Sequence, residues 1–475
     1  MRRGSIIGPL ILIGLGVLFL VRNILPDIPV LEILSRYWPF LLIAWGAIRL
    51  IEIFVWAVQS KPIPRNGISG GEWVLIVLLC VLGGSIHTAR QYAGRFPTMR
   101  AWHGLVMEMG ESYDYPLTSV ETPCAKNCRV LIENFRGNAR IVGTSDAVVK
   151  AGGREAVRSF QQPDADQANK QTPLELVRQG DEIIVRTNQD RVSDRMRVTS
   201  DLEITVPADA SVEAHGRSGD FDIQNVNGSV DISSDNAGVK LENIGGNARI
   251  DLRRGDLVRA VNMKGKVDLK GRGQDLDLQN ISGAVTVDGT YAGQIQLKNL
   301  AQQFRYQDPR ITVRFENLPG QARMATGEFT ANNVTGPLVL NGRSRDVRIA
   351  GFTQPVELTL ERGDIELRPG KSVPKMDVHI RSGDIDLALP AGAAFDLKAS
   401  TERGEASNDY GEPLKVNASN RGATIAGAVG GGPQVQLTTG RGSVTVRKSS
   451  SDETAFPEFP SLPTSPSQSL KVERQ

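Results

Sequence analysis

The residues of this 475-residue chain that could do chemistry are few, and most have an evenly matched neighbour. Cys80 lies in an apolar stretch, while Cys124 and Cys128 form a C-x3-C pair. A thiol–disulfide centre wants C-x2-C, and a zinc site wants a second pair or nearby histidines. His87, His103, His215 and His379 are scattered. In an oxidising compartment Cys124 and Cys128 can close a local disulfide; otherwise they are two thiols in a loop. Carboxylates recur at Asp220, Asp222, Asp231, Asp251, Asp268, Asp275 and Asp277. Calcium-binding repeats need a G-G-x-G-x-D spacing that is absent here. Lys240, Arg249, Arg253, Lys266 and Lys270 share the outward positions, so the rows read as a charge-balanced solvated face. Paired carboxylates can hydrolyse glycosides, but between residues 216 and 300 only Phe221 and Tyr291 could stack on a sugar. There is no phosphate loop. Arg-Gly-Asp occurs at 254–256 and 362–364, beside Ser-Gly-Asp at 218–220 and 382–384. Corner chemistry accounts for all four. These residues predict no catalytic, metal or cofactor site, and a non-enzymatic protein.

Bulk charge excludes another class. Lys and Arg number 55 against 53 Asp and Glu, a net charge of +2, which leaves no basic face for nucleic acid. The elements fall into two textures. Residues 4–21 are free of charge and end at Arg22 and Asn23 without a small-residue cleavage site, so they predict an uncleaved anchor. A second span is expected over 39–58, with Trp38 and Trp56 near its ends. A third, shorter apolar run over 73–86, which reaches back to 68 only by including Glu72, is read as a further span over 68–86. Arg49 and Glu52 fall near the middle of the second span, three residues apart on one face. They form a candidate intramembrane pair, either a helix–helix or signalling contact or an internal ion pair with snorkelling. Positively charged flanks are balanced across the spans, so orientation does not follow from them.

Beyond about residue 129 apolar and polar residues alternate in short runs, the period of half-buried strands. Inward pairs include Phe221/Ile223, Val230/Ile232, Val239/Leu241, Val267/Leu269, Leu276/Leu278 and Ile295/Leu297. Glycines open the units at 219, 228, 238, 246, 255, 265, 273, 283 and 293. Two steps make a coil of about 18 to 20 residues, within the range of repeat architectures. Glycine at the corners is expected to supply positive φ. Asn225, Asn243, Asn280 and Asn299 recur after the inward pairs and suit the same corners. The pattern resumes at 346–390 and 442–448 after a less regular stretch. No helical crossovers separate the strands, so a mainly β chain is expected: a single-stranded β-solenoid, with a β-sandwich as the rival. A polar insertion near 152–176 predicts a short helix.

Two resemblances follow. A Gly-rich first span, a short loop and YWPFLLIAWGAIRL (37–50) resemble the Lia-type transmembrane region of LiaI- and LiaF-like bacterial proteins. This implies a bacterial cytoplasmic membrane and envelope-stress sensing. The opening strand at 129–143, VPADA at 206–210 and the S-G-D-[FI]-D-[IL] units at 218–223 and 382–387 resemble the bacterial adhesin-type toastrack family. That implies the β-solenoid and a place outside the membrane. The expected organisation is a transmembrane anchor of two or three helices (1–90), a membrane-proximal linker (91–128), the solenoid (129–448) and a disordered Ser/Pro-rich tail (449–475). Expected partners are the membrane, envelope membrane proteins or polymers, and a second copy of the chain in a homo-oligomer. A self-assembling scaffold and a polysaccharide-acting enzyme are the alternatives.

Overall fold

The computed structural model describes residues 110–124, 127–192, 196–449, 455–457 and 459. The three apolar runs, with Arg49 and Glu52, lie outside the described residues. Among the described residues no helix is long and apolar enough to cross a membrane. The chain divides into two compact units; the larger, Asp114–Val157, Ala168–Ser193 and Val198–Gln475, carries the repeat. A ten-residue helix, Gln162–Gln171, has Asp164 in its first turn and Lys170 in its last, each favoured there by the helix dipole. The first part of the polar insertion is instead the end of the strand Val148–Ser159.

Each coil of the repeat contributes to two parallel ladders of one continuous sheet, and the strands Ala248–Met263 and Val267–Ile281 each run through both. On one, Val212, Val230, Ala248, Val267, Val285 and Phe304 stand in parallel register. On the other, Phe221, Val239, Val258, Leu276 and Ile295 do the same. The inward pairs are all buried in one continuous core. Fully burying such a side chain is worth about 1.5–3 kcal/mol, while ordering one residue's backbone costs about 1–2 kcal/mol. A lone unit with two inward side chains therefore cannot hold itself, and stacking supplies what it lacks.

The corners differ from expectation in who bears the positive φ. Of the nine unit-opening glycines only Gly219 has it; Asn225, Asn243, Asn262, Asn280 and Asn299 take the left-handed conformation, at φ 53–58°. Their side chains form a ladder, each Nδ2 donating to Oδ1 of the asparagine one coil earlier at 2.9–3.0 Å. Most unit-opening glycines serve close approach instead. A Cβ at Gly246, Gly265 or Gly283 would lie 2.2–2.4 Å from the carbonyl oxygen of the glycine one coil before it. Replacing Asn262 with glycine keeps the left-handed corner and breaks two ladder bonds. We expect a loss of about 1 kcal/mol, and about 2 kcal/mol for alanine, which adds the conformational cost. Urea unfolding of the two variants checks this difference.

The irregular stretch is where the winding reverses. Phe304–Asp308 and Ile311–Phe315 form an antiparallel hairpin around Pro309, whose turn is closed by Arg310 N donating to Asp308 Oδ1 at 2.7 Å. Phe304 and Phe315 stack across it, with ring centroids 4.9 Å apart. A second hairpin, Leu318–Ala325 with Glu328–Asn332, turns at Gly327 and restores the original direction. Arg345 fastens it, donating to the carbonyls of Ala325 and Glu328 at 2.8 and 2.9 Å. The last unit is also displaced from sequence order. Gln434–Thr439 and Val444–Lys448 pair with Met376–Ser382 and Ile385–Leu389 on one side and with Phe395–Thr401 and Ala406–Asp409 on the other. The chain builds an end coil and then threads its final coil beneath it.

Two segments depart from the sequence reading. Residues 111–123, placed in the linker, form a 13-residue strand whose outer residues are solvated, which blurs the alternation. It pairs with Val148–Ser159. Within the stretch read as a disordered tail, Phe456 is bonded to Asn332 through its backbone.

Candidate functional site

The sequence-derived candidates separate into structural parts and unplaced ones. Cys124 and Cys128 are buried and joined as a disulfide, their Cα atoms 6.0 Å apart. The bridge sits between the strands Glu111–Pro123 and Arg129–Arg136. The backbone on either side is tied in: Cys124 N donates to Ala147 O at 3.0 Å, and Ser211 N donates to Cys128 O at 3.0 Å. From the chain-entropy of so short a loop, replacing both cysteines with serine should cost about 2 kcal/mol. The comparison of melting with and without reductant checks it: reductant should shift the parent and leave the variant unchanged.

The Arg-Gly-Asp and Ser-Gly-Asp corners are occupied by the fold. Asp346, Asp364 and Asp384 form a column in which each Oδ1 accepts the backbone N–H of the next coil: Asp364 N, Asp384 N and Ser443 N, at 2.9, 2.9 and 2.7 Å. At 254–256 the backbone of Arg254 donates to Asp235 O and accepts from Ala237 N. Among the described residues no group of three or more His, Cys, Asp or Glu side chains could hold a metal ion. The outward aspartates have basic neighbours, as at Lys240–Asp222, 3.7 Å apart, but Asp277, expected on the solvated face, is instead 1% exposed beside Arg259 at 3.5 Å.

Two features stand out from this regular surface, and sequence reasoning singled out neither. The first is an ion-pair strip across the outer face of the second ladder. Arg348, Glu366 and Asp386 share one register row on the strands Asp346–Phe352, Ile365–Pro369 and Ile385–Leu389. Arg348 bridges Glu328 at 3.1 Å and Glu366 at 3.7 Å. Glu366 also pairs with Arg368 and, at 3.8 Å, with Arg447, which reaches Asp386 at 3.2 Å. Partial burial pushes the Asp386 carboxyl up, and Arg447 opposes that shift. A continuous strip of alternating charge, half out of water, can exchange its internal pairs for those of a charged partner.

The second feature is Glu155, fully buried on the strand Val148–Ser159. Thr172 Oγ1 lies 2.5 Å from Oε1, and Ser200 Oγ lies 3.5 Å from Oε2. Ser200 accepts from Gln189 Nε2 at 2.8 Å, and Gln189 is locked to both backbone groups of Arg136 at 2.9 Å. Among the described residues no cation joins this network, and desolvation pushes the carboxyl up to about 7 against the pull of the two hydroxyls. As a neutral acid Glu155 can donate to Thr172 Oγ1, freeing that hydroxyl to donate to Ala168 O at 3.1 Å. A signal was present: Val149, Ala151, Glu155 and Val157 share the inward phase, so a lone carboxylate falls in an apolar row.

Comparison with known proteins adds the context. None of the curated proteins compared matches this chain. Among solved structures, a "putative cell adhesion protein" from Clostridium sporogenes ATCC 15579, at 1.95 Å resolution, is similar at 9% identity with a TM-score of 0.17. The match covers 70% of this chain and 100% of that one. Residues 7–92 match the LiaF transmembrane domain, which gives the chain a membrane region at its N-terminus. No enzyme family is identified among these matches. Residues 144–447, well over half of the chain, match the Toastrack DUF4097 domain, and the protein belongs to that family.

Proposed function

We propose that this protein is a membrane-anchored component of the bacterial cell envelope that presents its β-solenoid, outside the cytoplasmic membrane, as a binding or stress-sensing surface. The observation that carries this reading is the union in one chain of a LiaF transmembrane domain with a toastrack repeat. The Cys124–Cys128 disulfide supports an oxidising compartment for the repeat. Three spans bring the domain there from a cytoplasmic N-terminus. The membrane helices, with Arg49 and Glu52 as their proposed contact, couple to other membrane proteins. The ion-pair strip meets a charged envelope protein or polymer, and no step of catalysis is assigned. Edge-to-edge assembly has less support: the strand Lys415–Ala418, which among the described residues pairs with Ala423–Val429 alone, is four residues long and wholly solvated. A short edge carrying lysine resists further pairing.

A topology reporter fused after Lys448 tests the reading. Activity of a reporter that works only outside the membrane is the expected result. A reporter active only in the cytoplasm would overturn both the three-span arrangement and the envelope-facing role.

A further inference from the structure

The outward face of the strand Glu328–Asn332 breaks the surface pattern of the repeat. Phe329 and Ala331 point to the core, so Asn332 alternates outward, yet it is 3% exposed. Its register neighbour Ala350, also in the outward phase, is 0% exposed. Outward positions earlier in the repeat, such as Arg249, Asp251, Asp268 and Lys270, are solvated. The chain's own C-terminal segment meets this face. Asn332 Nδ2 donates to Phe456 O, and Phe456 N donates to Asn332 Oδ1, both at 3.0 Å. One carboxamide thereby does for a single residue what a neighbouring strand does for a whole segment: it pairs both backbone groups and reads no side chain.

Side-chain reading comes from two arginines. The Arg368 guanidinium carbon lies 4.5 Å from the centre of the Phe456 ring, and that of Arg323 lies 5.6 Å from the Phe459 ring. Arg368 shares the register row of Asn332 and Ala350. Arg323 Nε is buried without a hydrogen-bond partner, so an aromatic face is the partner provided for that cation. The ligand fits in composition as well. Pro457 fixes φ and has no N–H to satisfy, so the chain leaving Phe456 is already restricted. Asp452, Glu453 and Glu458 are the only charged residues between Ser449 and Lys471, and since the face mixes Arg323, Arg348 and Arg368 with Glu328 and Glu366, the ring contacts rather than net charge select the segment.

We infer that Asn332, Arg323 and Arg368 form a peptide-recognition site for an extended Phe-Pro-x-Phe segment, occupied in cis by the chain's own tail and open to the same segment in trans. Two backbone bonds and two ring contacts, set against the ordering of several residues, make a weak site. The tether makes it full. Ser449 N is anchored to Leu389 O at 2.8 Å, seven residues before Phe456, and so short a link holds the ligand at an effective concentration on the order of millimolar. A free peptide that binds the empty site at about 0.1 mM would be weakened about tenfold by the cis tail. The site does not depend on which side of the membrane the domain occupies, so its failure and that of the proposed function are separable.

The experiment uses the full chain in detergent and a fluorescent peptide of residues 452–462, read by anisotropy. The F456A/F459A chain, whose own tail is disabled, is expected to bind the peptide about tenfold more tightly than the parent. Adding N332A should abolish that binding, as should replacing both phenylalanines in the peptide. R368Q in the same background gives a second test that leaves the buried amide in place. Hydrogen exchange at Phe456 should be slow in the parent and fast in N332A, with core amides unchanged. Failure of the F456A/F459A chain to bind, equal binding by the parent, or binding that survives both N332A and R368Q would overturn the inference.

Discussion

Replacing Gly383 with alanine is expected to cost about 4 kcal/mol, the sum of a strained backbone and an overpacked contact. Gly383 sits at φ +150°, and a Cβ there would lie 1.8 Å from Gly363 O. The obstacle is backbone of the adjacent coil, which is held by its own ladder and cannot swing aside. The column continues, since a Cβ at Gly442 would lie 2.2 Å from Gly383 O. Two comparisons apportion the loss. Gly327 has φ +80° and open space around its missing Cβ, so G327A should cost only the conformational term, about 1–2 kcal/mol. Gly265 is not in the left-handed region, but its Cβ would meet Gly246 O at 2.2 Å, so G265A should cost about 2–3 kcal/mol by overpacking alone. Because repeat proteins open locally, hydrogen exchange on the strands flanking each site is the appropriate measurement. G383A no worse than G327A would mean that the coils do not approach as closely as the glycine column implies.

The second large effect is pH-dependent. Glu155, pushed up to about 7 in the fold, falls to about 4.3 in the unfolded chain. Between those values the folded state keeps a proton that the unfolded state releases, so stability is fully present below about pH 4.3. It declines as pH rises and levels off above about 7. The total loss is about 4 kcal/mol, from about 1.4 kcal/mol per pH unit. This is opposite in sign to a salt-bridged carboxylate, whose stabilisation is lost on acidification. Glutamine at 155 keeps the shape and a donor for Thr172 but cannot ionise. E155Q should therefore match the parent near pH 4.5 and exceed it by about 4 kcal/mol at pH 8. Urea midpoints of the two chains at both pH values decide it, and a difference that does not grow with pH would mean that Glu155 does not titrate as a buried neutral acid.

Much of the repeat was legible in the residues. Phe221/Ile223, Val239/Leu241 and Leu276/Leu278 were marked as inward by alternation, and all are buried. Asn225, Asn243, Asn280 and Asn299 were marked as corner residues, and all take positive φ. What escaped was anything that depends on a partner distant in sequence. Asn332 looks like one more polar residue at a strand end until Phe456, 124 residues later, pairs with it. Glu155 looks like a surface charge until Thr172 and Ser200 close over it. The strand Glu111–Pro123 has solvated outer residues, so its period was too faint to separate it from a linker.

Local patterning was enough to specify the period-two strands, the coil of about 18 to 20 residues and the identity of the inward face. These follow from local rules: side-chain alternation, the reach of the chain, and residues suited to tight corners. Only the tertiary structure decided which corner residue bears the left-handed conformation and which yields room. That division depends on how closely successive coils stack, and asparagine can ladder along the stack where glycine cannot. It also decided the reversal at Pro309 and the threading of Gln434–Lys448 beneath an end coil. A period-two strand pairs equally well with any edge of matching phase, so order along the stack is a long-range choice that spacing does not encode. The residues with chemistry to do, which first drew notice as Arg-Gly-Asp corners and aspartate rows, are in the fold the fasteners of that stack.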